Sequence, residues 1–411
     1  MKKIFKYSKI LFINFILIVY LTELFLFLFL PDAQKRLVKI HETRLSIAKE
    51  LGADYDLRSP EVAFFEISQN NPNLSPAYYF NKGFAKYKTF QKAILLNKPI
   101  PFRGPINKQT LSCAEDLNYK LIGNDKFGFK NPNNIYEEII EIILLGDSYA
   151  EGQCYKETND IAAYLREAKY NSANFGVTGS GPLVSLGVLK EYAKKFKPRY
   201  VVYLYYEGND ISDLSWEKSI PLLKNYLNES YTQNLLNKQD EIKKFLSDIS
   251  EDSYEYINAQ INFQRTSSQK KRVIVIEQLK DFLELSSLRN CIKNNLYLIR
   301  DKDFDAELFY SVINSMNKET NSWGGKFIFV YTPSWLRYFT KFTKEQRYFS
   351  KKNLILNNLE KSNILTIDLS TFLDQENNLK QYFPLGYIGH FNKKGYKKIS
   401  SILIDEIEKR K

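Results

Sequence analysis

A long apolar run, ILFINFILIVYLTELFLFLFLP from Ile10 to Pro31, stands near the head of the chain behind the basic segment MKKIFKYSK. A run of that length crosses the hydrocarbon core of a bilayer as a helix. It exceeds the apolar region of an ordinary signal peptide, and no small-x-small cleavage pattern follows it. The pattern therefore predicts a retained signal anchor over residues 1–31, with the lipid bilayer as the partner of residues 10–31. Glu23 interrupts the run, where a carboxyl is expensive unless it protonates or finds a polar partner. Lys35, Arg36 and Lys39 flank the far end. Charge counting thus leaves the orientation open.

Polarity then changes character twice. DAQKRLVKIHETRLSIAKELGADYDLRS has the periodicity of a helical stalk closing in a glycine-containing loop. Residues 60–140 are rich in Asn, Pro and aromatics (NNPNLSPAYYF, NKPIPFRGPIN, FGFKNPNN), so 32–140 reads as a stalk and an extended, ordered lead-in without a catalytic pattern. From 141 strand and helix patterns alternate. The strands are EIILLG, NSANFGV, YVVYLYYEG, KFIFVYTPS and ILTIDLS, and the last helix is NKKGYKKISSILIDEIEKRK. Five short apolar strands separated by helices predict an α/β fold. The expected form is a doubly wound, mostly parallel five-stranded sheet of the flavodoxin-like kind, with its site at the C-terminal strand ends. A charged, largely helical insert at about 211–300 interrupts the domain 141–411. It reads equally as a cap beside the site or as a docking surface.

Composition narrows the partners. The 411 residues are 44% hydrophobic and carry 59 Lys+Arg against 47 Asp+Glu, a net charge of +12. That is ample for a buried core. The basic residues are spread thinly rather than gathered in a stripe, which argues against nucleic acid and leaves attraction to anionic lipid or glycan. Cys113, Cys154 and Cys291 form no metal-ligand spacing. Cys113 approaches the first strand of the sheet and Cys154 follows GDSYAEG. They are either a disulfide clamping the pre-strand loop to that segment outside the cytoplasm, or two small core residues.

Each strand entering the proposed site edge ends in suggestive chemistry. The first ends in GDSYAEG, where Ser148 in a strand-turn-helix elbow would present its hydroxyl beside backbone N–H groups. Gly-Asp-Ser alone is as readily a turn or a helix cap. NFGVTGSGPL follows the second strand, and its glycines can turn an N–H inward. YYEGND ends the third and places Asn209 and Asp210 at its tip. The last loop holds PLGYIGHFNKKGY. The chain has two histidines, and His41 lies close to the membrane span, so His390 is the credible general base.

GDSYAEG, NFGVTGSG, EGND and GHFNKKGY, in that order, resemble the four blocks of the SGNH (GDSL-type) hydrolase superfamily. The preceding CAEDLNYKLIGNDKFGFKNP and the anchor are similar to membrane-anchored bacterial members. The resemblance implies Ser148 as nucleophile, His390 as base, and an oxyanion hole from the Ser148 N–H, the Gly179 N–H and the Asn209 amide, with Gly181 as fallback. Two blocks depart from the family: Glu207 replaces a usual Gly in the third, and Tyr387 and Ile388 stand where Asp commonly precedes the histidine in the last. The acid is then Asp374 or Asp368 from the preceding loop and strand end. Otherwise a backbone carbonyl steadies a Ser–His dyad, or the site is degenerate.

By this resemblance the chain is expected to be a serine esterase removing O-acyl, chiefly O-acetyl, groups from envelope or extracellular polysaccharide. That chemistry requires neither a metal nor a cofactor. It would sit in the inner membrane with its catalytic domain periplasmic or extracellular. Transfer of the acyl group to a glycan hydroxyl uses the same residues. A catalytically weak glycan-binding or assembly protein is the reading from another class.

Overall fold

The computed structural model describes residues 2–29, 33–265, 276, 279–289, 304–339 and 351–410. The chain forms two compact units, Met1–Glu50 with Ala259–Lys302, and Leu51–Asn258 with Asp303–Lys411.

In the larger unit five strands, β1 (Ile142–Gly146), β2 (Ser172–Asn174), β3 (Tyr200–Tyr206), β4 (Lys326–Thr332) and β5 (Leu365–Asp368), build one sheet. All neighbours are parallel, in the order β2-β1-β3-β4-β5. These strands read as continuous apolar runs because both faces of the sheet are covered. Ile143, Leu145, Val201, Tyr203 and Phe329 point into one core, and Ile142, Leu144, Val202, Leu204 and Val330 into the other. The chain has the doubly wound flavodoxin-like α/β fold that the alternation predicts.

Short elements link the strands. A single turn of helix, α3 (Ser148–Glu151), leaves β1, and α4 (Ile161–Glu167) precedes β2. Then come α5 (Pro182–Glu191) before β3, α6 (Asp210–Glu217) after it, α8 (Ala306–Asn321) before β4, α9 (Lys351–Lys361) before β5, and the closing α10 (Lys393–Glu408). The strands' C-terminal ends thus deliver Ser148, the 175–181 loop and Asn209 to one edge.

The larger unit starts at Leu51 and so takes in the lead-in, whose aromatics behave as core. Tyr78, Phe80, Phe90, Phe102 and Phe129 are buried with Leu145, Leu183 and Tyr203. A charged helix, α7 (Gln239–Arg265), opens the insert. It contributes Ile242, Phe245, Leu246 and Ile249 to the same core, the spacing of one helical stripe, each worth about 1.5–3 kcal/mol of burial. Much of the remaining insert lies outside the described residues.

The smaller unit holds α1 (Lys2–Phe29) and α2 (Ala33–Glu50). Tyr7–Leu28, 22 residues, is long and apolar enough to cross a membrane. At 1.5 Å per residue it covers about 33 Å, the thickness of a hydrocarbon core with a little tilt. His41 lies on α2.

Candidate active site

Local geometry at the end of β1 is fixed by Gly146, whose φ is +136° and whose added Cβ would lie 2.5 Å from the Leu204 carbonyl oxygen. Neither that conformation nor that spacing admits a side chain. The chain turns there, and Asp147 caps α3 by accepting the Tyr149 N–H at 2.9 Å. Ser148 is thereby placed at the first position of the helix, 8% exposed. Its Oγ lies 2.9 Å from His390 Nε2.

His390 comes from the loop before α10, and two partners hold that loop over the elbow. Tyr149 stacks on Tyr206, with ring centroids 3.9 Å apart, and its hydroxyl donates to the Gly389 carbonyl. The other partner is Glu115. Its Oε2 lies 3.1 Å from His390 Nδ1 and accepts the His390 backbone N–H at 2.7 Å. Serine, imidazole and carboxylate therefore stand in line.

The sequence leaves three possibilities: Asp374 or Asp368 as acid, a backbone carbonyl, or a degenerate site. A carboxylate does stand at Nδ1, but it is Glu115, and the structure brings neither aspartate to the imidazole. Asp374 lies beside the Tyr338 hydroxyl. Asp368 pairs with Lys352 at 2.6 Å and accepts from Ser370. Glu115 sits in the lead-in, about thirty residues before Ser148 and outside the four blocks that carry the resemblance. The signal that finds it is the cysteine pair. Cys113 and Cys154 are joined by a disulfide, and Ser112 Oγ accepts the Cys154 N–H at 3.0 Å. These bonds fasten the loop after Gln109–Ser112 to the elbow's trailing loop, two residues from Glu115. Cys113, Cys154 and Glu115 also bring three donor atoms within 4.8 Å of one another. The sulfurs share their bond and the carboxylate serves His390, so that donor set is already spent.

Electrostatics agree with the alignment. Burial pulls the His390 pKa down, but the Glu115 carboxylate, with Asp147 and Glu151 further off, outweighs it and leaves the imidazole above its ordinary range. Asp147 is pushed up to about 6 by burial, against the Tyr149 N–H, the His390 charge and the Asn209 amide.

The candidate oxyanion donors are placed unequally. Among the described residues, the N–H groups of Ser148 and Gly179 have no acceptor. Gly179 has φ +70°, and its peptide is held from both sides. Asn81 Nδ2 donates to the Thr178 carbonyl at 2.8 Å, and Glu151 accepts the Thr178 N–H at 3.0 Å. Glu151 is itself paired with the fully buried Arg103 at 2.8 Å. The Gly181 N–H donates to Glu217 at 2.5 Å, so that fallback donor is committed to capping α5. Asn209 donates through Nδ2 to Asp213 at 2.8 Å. Burial with Glu217 and Asp147 nearby pushes Asp213 up to about 8, and burial pushes Glu217 up to about 7. Glu207, the departure in the third block, is structural: it accepts from the Ser334 N–H at 2.9 Å and pairs with Arg337.

No protein-family model matches this chain, and no curated protein matches it. Among solved structures, it is similar to a candidate lipolytic protein of the G-D-S-L family from Desulfitobacterium hafniense DCB-2. The two share 14% identity over 64% of this chain and 96% of that one, with a TM-score of 0.35. At that distance the likeness carries nothing about chemistry.

Proposed function

We propose that the chain is a membrane-anchored serine hydrolase that cleaves O-acyl, chiefly O-acetyl, esters of envelope or extracellular polysaccharide. The observation that carries the proposal is the alignment of Ser148 Oγ, His390 and Glu115 at 2.9 and 3.1 Å. Ser148 Oγ attacks the ester carbonyl carbon while His390 Nε2 takes its proton. The oxyanion is received by the N–H groups of Ser148 and Gly179. Collapse breaks the bond from the acyl carbon to the sugar oxygen, which leaves with the proton from Nε2. Water then yields a proton to Nε2, attacks the acyl-serine and releases the carboxylic acid, and Oγ recovers its proton. Glu115 holds Nδ1 protonated and stabilises the imidazolium in both halves. Asn209 joins the oxyanion site when its amide leaves Asp213.

Three features support the remainder of this reading. A serine only 8% exposed suits a small acyl group. The Cys113–Cys154 disulfide suits an oxidising compartment. The 22-residue span suits a single-pass anchor in the inner membrane, with the catalytic unit on its outer side. The test is labelling of the full chain by a fluorophosphonate, together with acetate release from an acetylated glycan. Both are expected in the wild type and abolished in Ser148→Ala. Labelling that persists in Ser148→Ala refutes the nucleophile, and labelling without any acyl release from glycan refutes the substrate class.

A further inference from the structure

The smaller unit contains a partner for Glu23 that the sequence did not suggest. The Glu23 carboxylate is fully buried. It accepts the backbone N–H groups of Ser287 at 2.9 Å and Leu288 at 2.6 Å. Tyr20 and Phe27 flank it on the same stripe of α1. The Tyr20 hydroxyl donates to the Leu283 carbonyl at 3.3 Å, and both rings meet Phe282, with centroids 5.8 and 6.4 Å apart. Residues 20, 23 and 27 are one helical face, and they hold the insert segment 279–289 against the C-terminal part of the span. Glu284 N donates to Lys280 O, Leu285 adopts φ +54°, and Arg289 N donates to Leu285 O. The backbone thus breaks at Leu285 and resumes as helix, and the carboxylate satisfies amide hydrogens freed at that break.

Depth follows from spacing. Tyr20, Glu23 and Phe27 lie eight, five and one residues from Leu28, the end of the span. They therefore sit within about 12 Å of the membrane–water boundary. A segment docked on them lies at the same depth. Its apolar side chains Leu279 and Leu283 are 59% and 58% exposed and lie on one helical face at i, i+4, and Ile276 beyond them is 56% exposed. Lys280, Glu284 and Arg289 form ion pairs among themselves. Apolar residues on one face, charges beside them, and a depth of several ångströms are the features of a helix lying in the bilayer interface.

We infer that residues 279–289, with Ile276, form a second membrane contact, an amphipathic segment that lays Ile276, Leu279 and Leu283 among the acyl chains of the leaflet holding the C-terminal half of α1, docked there by Glu23. The inference rests on the reading of α1 as a membrane span. It also explains how a carboxylate is tolerated within the run: two backbone amides satisfy it, so it has no need of a protein partner in another chain.

The test uses the full chain with Cys291→Ser, reconstituted in phosphatidylcholine/phosphatidylglycerol vesicles. Single cysteines at Leu279, Leu283, Lys280 or Leu17 carry an environment-sensitive fluorophore. Leu17→Cys, a position 56% exposed on α1, reports the span itself. Its emission should be quenched best by lipid spin-labelled deep in the chain. Leu279→Cys and Leu283→Cys should be quenched best by lipid spin-labelled near the headgroup, and at least about threefold more than Lys280→Cys, which aqueous iodide should quench instead. In Glu23→Leu, lipid quenching at Leu279→Cys should fall at least about twofold with that at Leu17→Cys unchanged. Quenching at Leu17→Cys without quenching at Leu279→Cys or Leu283→Cys overturns the second contact and leaves the span intact. Loss at all three overturns both. Quenching at Leu279→Cys that disappears as protein density in the vesicles is raised shows a second copy covering the stripe, and overturns the lipid assignment.

Discussion

Replacing Glu115 by Gln removes one charge and keeps the side chain's shape. Glu115 Oε2 is 3.1 Å from His390 Nδ1, and the Glu115 side chain is 13% exposed. At an effective dielectric of about 20, a carboxylate and an imidazolium at that separation attract by about 5 kcal/mol. That attraction exists only while His390 holds the serine's proton, so it enters the barrier rather than substrate binding. Part of it is already present as the hydrogen bond from neutral imidazole, which leaves a loss of about 10³-fold in kcat with little change in KM. Hydrolysis of a chromogenic acetyl ester by the full chain in detergent measures it. The pH profile supplies a second readout. His390 acts when neutral, and the Glu115 charge raises its pKa. Glu115→Gln should therefore move the acidic limb of kcat/KM to lower pH while the plateau drops. Asp374→Asn should leave both within about twofold. A Glu115→Gln enzyme within about fivefold of wild type, or an Asp374→Asn enzyme as damaged as Glu115→Gln, refutes the assignment.

Three further outcomes are expected. The Cys113→Ser/Cys154→Ser double variant releases a 41-residue separation; by loop entropy it loses about 4 kcal/mol. A calorimetric Tm roughly 5–10 °C lower, with kcat at least about tenfold lower as Glu115 loses its mooring, is expected, and unchanged kcat would separate the disulfide from catalysis. Gly179→Ala places a Cβ 2.9 Å from Asn81 Nδ2 at φ +70°, and it should cost about 10²–10³-fold in kcat with the native circular dichroism spectrum retained. Asp213 and Glu217 have folded pKa values pushed up to about 8 and about 7. They favour the folded form when protonated, and this contribution fades as pH rises from the ordinary carboxylate range through about 8. Asp213→Asn should thus raise Tm by a few degrees at pH 8.5 and by less at pH 5; equal shifts at both pH values would show that charge is not the cause.

The sheet was legible because its physics is local. Strands buried on both faces are apolar at every position, and the glycines and polar residues at their ends mark where the chain turns. The same rule places Ser148, the 175–181 loop and Asn209 at strand ends, whereas His390 stands out as one of two histidines, and their proposed roles come from the resemblance. What escaped was long-range and polar. Nothing in residues 60–140 looks catalytic, because Asn81, Arg103 and Glu115 act across 97, 48 and 275 positions of sequence on Thr178, Glu151 and His390. Their partners are set by packing, which periodicity does not report. The aromatics that suggested a wrapping lead-in are instead what seats those three side chains in the core. Glu23 escaped for the same reason: its partners are backbone amides of residues 264 and 265 positions away.

The cysteine pair also sets an order of assembly. A chain made from its N-terminus exposes Cys113 and Cys154 long before His390 is synthesised. Oxidation can tether the loop bearing Glu115 while His390 does not yet exist, so on the proposed mechanism the nascent protein carries the acid and the nucleophile with no base between them. A chain ending before residue 390 would lack both the imidazole and α10, whose Tyr396, Ile399 and Leu403 fill one of the two cores. One beginning at residue 141 would keep both serine and histidine yet lack the carboxylate beside the imidazole. On the proposed mechanism, activity thus requires the loop bearing Glu115 and the loop bearing His390 to meet.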